Sequence, residues 1–363
     1  MSRTERKWSV RAYRAGDEEG ILELWKAVYP DRTYERQRWM KWWQWMYKDN
    51  PNGMGVIIVA DHDGRIVAHT AEMPVMMKIG SESVLAAINL DAMTHPDYRR
   101  QGTFAALVKA RRLESEKRGI RATYGFRNKY SYPYPGLATK VGMFDAATLQ
   151  KVFRPLDWRA SLRTQSHNRL LLAIGPAAGG LLSKVVFRPG KTRCPEGLSI
   201  AQVAQFDERV DDLWRKVSGQ YQAIVLRNKE YLNWRYVAVP DRRYSIFVAG
   251  RPEAIAGYLV SSCAEADQTM TGMIVDVLAE SRNVAECLIS ACVEHCRQEK
   301  AAIVWSARIA GTSLAAAYRR QGFIVVPFGK SIGIKGWATS PTIAGRLQDS
   351  KNWFLQMGDS DEA

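Results

Sequence analysis

Cysteine is sparse in this chain of 363 residues: there are five, and the first stands at position 194. Their spacing matches neither a zinc site nor a disulfide framework, so buried, reduced thiols are expected. Cys292, His295 and Cys296 fall on about one helical face. No second ligand pair accompanies them, and no metal is expected. Acidic side chains are also short, with 37 Asp and Glu against 52 Lys and Arg, a net charge of +15. That excess suits an anionic partner, whether a phosphorylated cofactor, nucleic acid or an anionic membrane face, and does not bear on fold. No apolar run approaches the ~20 residues that cross a bilayer. The greasiest stretch, Leu170-Leu-Leu-Ala-Ile-Gly-Pro-Ala-Ala-Gly-Gly-Leu-Leu182, is broken by Gly and Pro. The opening Met-Ser-Arg-Thr-Glu-Arg-Lys is charged and has no apolar signal segment behind it. A cytoplasmic location is therefore expected, with peripheral contact on the inner membrane face left open. Low-complexity tracts are missing too, and the length suits two or three domains.

What is present is regular periodicity. Trp8–Tyr13 reads as a strand, and Asp17 caps a helix with apolar residues at Ile21, Leu24, Trp25 and Val28. A second helix covers Tyr34 to Lys48. Val56–Ala60 and Ile66–Met77 read as strands joined by the Asp-Gly turn at Asp61-His-Asp-Gly64. A strand over Val84–Met93, a helix from Thr103 to Arg118 and a strand over Ala122–Phe126 follow, then the aromatic segment Tyr130-Ser-Tyr-Pro-Tyr-Pro-Gly136. The fold class is α/β (α+β), a mixed and mostly antiparallel sheet flanked by helices. The second half repeats the plan faintly. Met273–Leu278 matches Ile88–Met93, Val284–Arg297 is the helix after it, and Ala302–Ser306 the next strand. The expected organisation is a first domain over 1–155, a linker with some helix over 156–195, and a second domain over 196–363.

One turn carries chemistry. Thr94-His-Pro-Asp-Tyr-Arg-Arg-Gln-Gly-Thr103 runs from a strand into a helix. Such a turn gathers several backbone N–H groups in one concavity, and the helix dipole adds positive potential, which together suit a pyrophosphate. Gly102 permits close approach of the backbone. Arg99 and Arg100 supply charge. The second copy has no such glycine turn; Ala-Glu-Ser-Arg-Asn283 stands there instead.

Asp91-Ala-Met-Thr-His-Pro-Asp-Tyr-Arg-Arg-Gln-Gly102 resembles motif A of the GCN5-related N-acetyltransferases (GNAT), a pattern of Arg/Gln-x-x-Gly-x-Gly/Ala after a strand. The resemblance extends over residues 8 to about 150. Tyr124-Gly-Phe-Arg-Asn128 is similar to motif B, and Val141-Gly-Met143 to the family's Gly-Phe ending. It implies an acyl-CoA co-substrate, with Met93 and Thr94 offering backbone to the pantetheine and thioester. It also implies that Arg99, Arg100, Gln101, Gly102, Thr103 and Phe104 hold the pyrophosphate, with Asn128 near the pantetheine. Two positions depart from the pattern. Phe104 stands where Gly or Ala is usual, and Ala138 where a tyrosine often protonates the leaving thiolate. That proton would come from Tyr134, Tyr130 or water. In the second half, Tyr318-Arg-Arg-Gln-Gly-Phe323 is similar to the family's Tyr-x-x-x-Gly-Phe ending. The resemblance therefore implies two GNAT-like domains in tandem, the second degenerate in coenzyme A binding and shaping the acceptor site.

Acyl transfer to an amine needs a proton acceptor and a donor for the developing oxyanion. Asp91 is the first candidate base and Glu72, on the adjacent strand, the second; His69 and His95 are alternatives. Trp39, Trp42, Trp43 and Met46 share a face of the second helix and are expected in the core, with Trp45 pointing elsewhere. The expected function is acyl-CoA-dependent N-acyl transfer from acetyl-CoA or a long-chain acyl-CoA to a primary amine. The acceptor could be a small amine, an amino sugar of surface polysaccharide, or a lipid amine such as a sphingoid base. Two other readings stay in view: a Fem-type tRNA-dependent aminoacyl transferase, against which the Arg99–Gly102 turn speaks, and a non-catalytic module binding nucleic acid or membrane.

Overall fold

The computed structural model describes residues 8–32, 35–126, 142–157, 187, 189–190, 192–266, 268–325 and 332–360. Asn128, Tyr130, Tyr134 and Ala138, and most of the expected linker, lie outside the described residues. The chain divides into two compact units. The first comprises Met1–Ala146, Ala238–Asp241 and Gly333–Asp349; the second comprises Ala147–Val237, Arg242–Ile332 and Ser350–Ala363.

In the first unit, β1 (Ser9–Ala12), β2 (Val56–His62), β3 (Arg65–Ile79) and β4 (Glu82–Thr94) form an antiparallel run in that order. The run Val-Ile-Ile-Val-Ala of β2 is buried throughout, as a strand covered on both faces must be. Asp63 and Gly64 both take positive φ, 51° and 83°, the pair a two-residue turn needs to follow strand twist. Helices α1 (Asp17–Val28) and α2 (Arg36–Tyr47) precede β2. Three acids, Asp17, Glu18 and Glu19, sit in the first turn of α1, where its dipole is positive. Helix α3 (Thr103–Lys117) packs on β2 and β3, its Leu107 meeting Ile58, Ala60 and Ala68. Strand β5 (Ala122–Phe126) then pairs in parallel with β4. Trp39, Trp43 and Met46 of α2 are buried as expected, but so is Trp45, while Trp42 is half-buried. Arg36, Gln37 and Arg38 in its first turn, and Lys41 and Gln44 further along, are exposed.

Strand β6 (Phe144–Pro155) begins in the first unit and ends in the second. The second unit continues with β7 (Ser199–Val203), α4 (Arg209–Val217), β8 (Ala223–Val225), α5 (Lys229–Tyr236), β9 (Ser245–Arg251), β10 (Ala254–Ala266) and β11 (Thr269–Ala279). Then come α6 (Arg282–Gln298), β12 (Ile303–Ile309), α7 (Ser313–Arg320) and the short β13 (Ile324–Val325). Its strand order is β6-β12-β11-β10-β9-β7, the plan of the first unit again. Strand β14 (Ile332–Ala338) returns to the first unit and pairs antiparallel with β5, from Ile334↔Phe126 to Ala338↔Ala122. Helix α8 (Pro341–Gln348) follows, and β15 (Trp353–Phe354) pairs with β8.

The cysteine expectation needs a correction. Cys194 and Cys287 form a disulfide with Cα atoms 5.8 Å apart, while Cys263, Cys292 and Cys296 are free thiols. The two partners are 93 residues apart in sequence, so only the fold brings them together. On the α6 face read as a possible metal site, the His295 ring instead meets Ser245 Oγ at 3.0 Å.

Candidate active site

The site begins where two strands part. The parallel β4–β5 register runs from Ala86↔Ala122 to Ile88↔Tyr124 and stops there. β5 carries on beside β14, and β4 continues to Thr94 with β3 as its only ladder partner among the described residues. On that side too the register breaks, because His69 faces Met93 whereas Ala71 faces Leu90. Asp91 and Ala92 therefore stand opposite Thr70 alone, which is a β-bulge. Asp91 takes φ 46°, the left-handed region that Asp tolerates better than most residues.

The bulge sets which backbone groups face the gap. His95 N–H donates to Val67 O at 2.9 Å, so His95 points to β3. Period-two alternation then aims Met93 at β3 as well, and Thr94 and Ala92 at the open edge. Of the two positions expected at the thioester, Thr94 faces the gap. Met93 stands on the ladder side opposite His69, and Ala92 faces the gap beside Thr94.

Around the bulge the side chains are tightly held. Tyr47, the last residue of α2, donates its hydroxyl to Asp91 Oδ2 at 2.5 Å. Asp91 is half-buried, and its Oδ1 accepts no hydrogen bond among the described residues. His69 is 1% exposed, and its Nδ1 lies 2.8 Å from the Asp91 carbonyl oxygen. Burial pushes its imidazole below the usual histidine range despite the nearby Asp91, so the ring is neutral with its proton on Nδ1. Three residues further along β3, Glu72 points to the opposite face. There it pairs with Arg111 of α3 (2.9 Å) and accepts from Ser115 Oγ. Arg111 also donates to Thr70 Oγ1. With Glu72 2% exposed and both oxygens engaged, the second candidate base is corrected to a buried structural ion pair.

The turn after β4 is built largely by its own side chains. Pro96–Tyr98 form one tight turn, Arg99 Nε donates to Thr94 O (3.2 Å), Gln101 Nε2 to Asp97 O (2.9 Å), and Thr103 Oγ1 to Tyr98 O (3.1 Å). Gln101 and Thr103 therefore brace the loop, and Thr103 is 2% exposed. Arg100 and Gly102 both adopt positive φ, 62° and 78°. Gly102 is the N-cap of α3 and offers no side-chain cap, so the first N–H groups of the helix are left to another acceptor. A Cβ on Gly102 would meet nothing within 4 Å. Arg99 and Arg100 are exposed and have no carboxylate partner among the described residues. Phe104 is half-buried one residue inside the helix. His95, an alternative base, has its Nε2 2.9 Å from Arg65 Nη2.

The uncapped basic turn falls on the residues that carry the motif; the splayed strand pair and the bulge before it were not expected from the sequence. Residues 9–134 match the family model for the acetyltransferase (GNAT) domain. The chain carries a GNAT domain. Its fold is similar to that of a GCN5-related N-acetyltransferase from Anabaena variabilis ATCC 29413, at TM-score 0.67 and 11% identity, covering 94% of this chain and 75% of that one. It is also similar to Saccharomyces cerevisiae N-myristoyltransferase with bound myristoyl-CoA, at TM-score 0.60 and 11% identity over 91% and 82% of the two chains. A third structure, Eis1 from Mycobacterium abscessus, aligns at TM-score 0.54 and 12% identity over 90% and 73%. No curated protein matches the chain in sequence.

The second unit has a similar splay but closes it. β11 and β12 share only Thr271↔Ile303 to Met273↔Trp305, and three residues past the last rung stands Asp276, as Asp91 stands three past Ile88. Asp276 is 1% exposed and accepts from Arg227, Tyr236, Tyr258 and Gln356. The Gln356 side chain also takes the Val277 N–H (3.0 Å) and donates to the Val277 carbonyl (2.9 Å). Ser281 Oγ caps α6 through the Val284 N–H, in contrast to Gly102 before α3. The open edge and the bare helix end of the GNAT domain are thus both filled in this copy. Tyr47 was missed in the sequence, yet a signal was there. Trp45-Met-Tyr-Lys-Asp-Asn-Pro51 and Trp234-Arg-Tyr-Val-Ala-Val-Pro240 share Trp-x-Tyr-x-x-x-Pro, and each tyrosine ends the helix that supplies a hydroxyl to the aspartate.

Proposed function

We propose that the chain is an acyl-CoA-dependent N-acyltransferase acting through its first unit. The observation that carries this reading is the edge of β4 beyond Ile88, unpaired among the described residues, which runs through the Asp91 bulge into the uncapped, basic turn at Arg99–Gly102. A thioester ligand lying along that edge would place its pantetheine amides against Ala92 and Thr94 in strand-like fashion. Its pyrophosphate would meet the first N–H groups of α3 and the guanidinium groups of Arg99 and Arg100. Gly102 allows the approach, while Gln101, Thr103 and Phe104 shape the turn. Asn128 keeps the role the family resemblance assigns it, near the pantetheine, and Tyr134, Tyr130 or water delivers the proton to the thiolate.

The reaction is attack of a neutral amine nitrogen on the thioester carbonyl carbon, cleavage of the C–S bond and delivery of a proton to the sulfur. Open-edge N–H groups stabilise the oxyanion. Asp91 remains the candidate base, because its Oδ1 is unengaged among the described residues while Tyr47 fixes the other oxygen. The acceptor is a primary amine: a small amine, an amino sugar or a lipid amine. Calorimetry with acetyl-CoA and palmitoyl-CoA tests the donor. Binding of both with a preference for one sets the acyl length, and failure of both to bind sinks the proposal. Asp91→Asn and Tyr47→Phe should bind the donor as the parent does but slow turnover with amine panels, read as released thiol.

A further inference from the structure

We infer that His69 is the positioning residue of the oxyanion site: its ring N–H holds the Asp91 carbonyl in the bulge and so turns the neighbouring N–H groups toward the thioester. This rests on the reading of the open β4 edge as the acyl-CoA site. The extra residue of a bulge has no ladder partner for its backbone groups. Here the missing donor for the Asp91 carbonyl comes from a side chain, His69 Nδ1 at 2.8 Å, one rung away on β3. With Asp91 at φ 46°, a carbonyl without that bond would be free to rotate toward solvent, carrying the Ala92 N–H of the same peptide with it. A neutral ring with Nδ1–H leaves Nε2 as an acceptor, and Nε2 is buried with no donor among the described residues. An imidazole used as a base would show the reverse arrangement, with an accessible nitrogen facing the substrate. His69 is 1% exposed.

The second unit differs at the matching position: its register shift falls at Val275, and Asp276 keeps a ladder partner in Val260. Its matching rung carries Tyr258, opposite Leu278 as His69 is opposite Met93. Tyr258 donates to the Asp276 side chain (3.0 Å), with no bond to the main-chain carbonyl. In that copy the Val277 N–H and carbonyl are met by Gln356 instead, so nothing needs holding for a ligand. The grip on the bulge main chain belongs to the unit with the open edge.

The test uses the full chain with acetyl-CoA labelled with carbon-13 at the thioester carbonyl, in the parent, His69→Leu and His69→Asn. The asparagine amide can place an N–H where Nδ1 stands, and leucine cannot. Difference infrared spectra report polarisation of the bound carbonyl as a shift to lower frequency, without any acceptor. The parent should show that shift, His69→Leu should lose it with affinity changed less than about threefold, and His69→Asn should restore it. Circular dichroism melts check that both variants fold. A shift retained in His69→Leu overturns the inference, and so does a folded His69→Asn that fails to restore it. A parent that binds acetyl-CoA without a shift overturns it as well, leaving the binding site standing. A parent that does not bind acetyl-CoA overturns the site itself and the inference with it.

Discussion

Gly102 allows the phosphate reading to be separated from simple loop stability. It sits at φ 78°, ψ 2°, as the N-cap of α3, with open space where a side chain would begin. Alanine there meets no steric clash but must hold a left-handed backbone, which costs about 1–2 kcal/mol. Asparagine tolerates that conformation far better, so Gly102→Asn should melt closer to the parent than Gly102→Ala. Binding should run the other way. Both side chains project into the concavity at the helix end, and asparagine projects further. If a pyrophosphate docks there, Gly102→Ala should weaken acetyl-CoA binding by about tenfold, ~1.4 kcal/mol, and Gly102→Asn by more. S-acetylpantetheine, which lacks the pyrophosphate, should bind parent and variants alike. Titration calorimetry and thermal melts on the same samples give both orders. Gly102→Asn binding acetyl-CoA as tightly as the parent would refute the reasoning, since the bulk would then lie outside the ligand's path.

Three further outcomes are expected. Arg111→Met leaves the Glu72 carboxylate buried without its cation, a loss of about 3–5 kcal/mol in urea unfolding, and adding Glu72→Gln should recover part of it; a strictly additive double variant would show that the pair is uncoupled. Gln356→Ala strips partners from the Val277 N–H and carbonyl, costing on the order of 2 kcal/mol, and hydrogen exchange at the Val277 amide should speed up, whereas unchanged exchange would mean that the Gln356 bond is not formed in solution. Burial alone would raise the Glu18 carboxyl, but bonds from Lys48, Tyr13 and the Gly16 N–H outweigh it and hold it at about 2. A folded pKa below the unfolded value means the contribution is complete above about 4.5 and disappears as pH falls through 2. The melting gap between the parent and Glu18→Gln should therefore close over that range, and a gap that persists at pH 2 would contradict it.

Much of the fold was legible in local chemistry. The Asp-Gly turn between β2 and β3, the acids opening α1 and the glycine before α3 each act within a few residues, so their residue types announce the backbone they need. The turn at Arg99–Gly102 was read correctly as a turn for the same reason. What could not be read was which of its side chains face inward: Gln101 and Thr103 close the loop through Asp97 O and Tyr98 O, bonds that depend on the path of the main chain. Asp91 stood first and Glu72 second as candidate bases, with no local pattern to tell their surroundings apart. Only the sheet, with α3 on one face and the bulge at Asp91, gives one of them a buried arginine and leaves the other an oxygen unengaged among the described residues.

By itself the sequence determined the elements of the first unit from β1 to β5, the strand–helix–strand of the second from β11 to β12, the glycine turn and the faint repeat, because these follow from periodicity and from backbone preferences of single residues. The tertiary structure decided what depends on register and long-range contact: a bulge that arises only when two strands are counted against each other, the His69 grip on it, the Tyr47 hydroxyl arriving from α2, and the Cys194–Cys287 bond across 93 residues. It also decided the fate of the second copy. A lost turn was visible in the sequence, but that Gln356 would occupy the matching strand edge was not, since a distant side chain can satisfy a backbone group without leaving any local pattern.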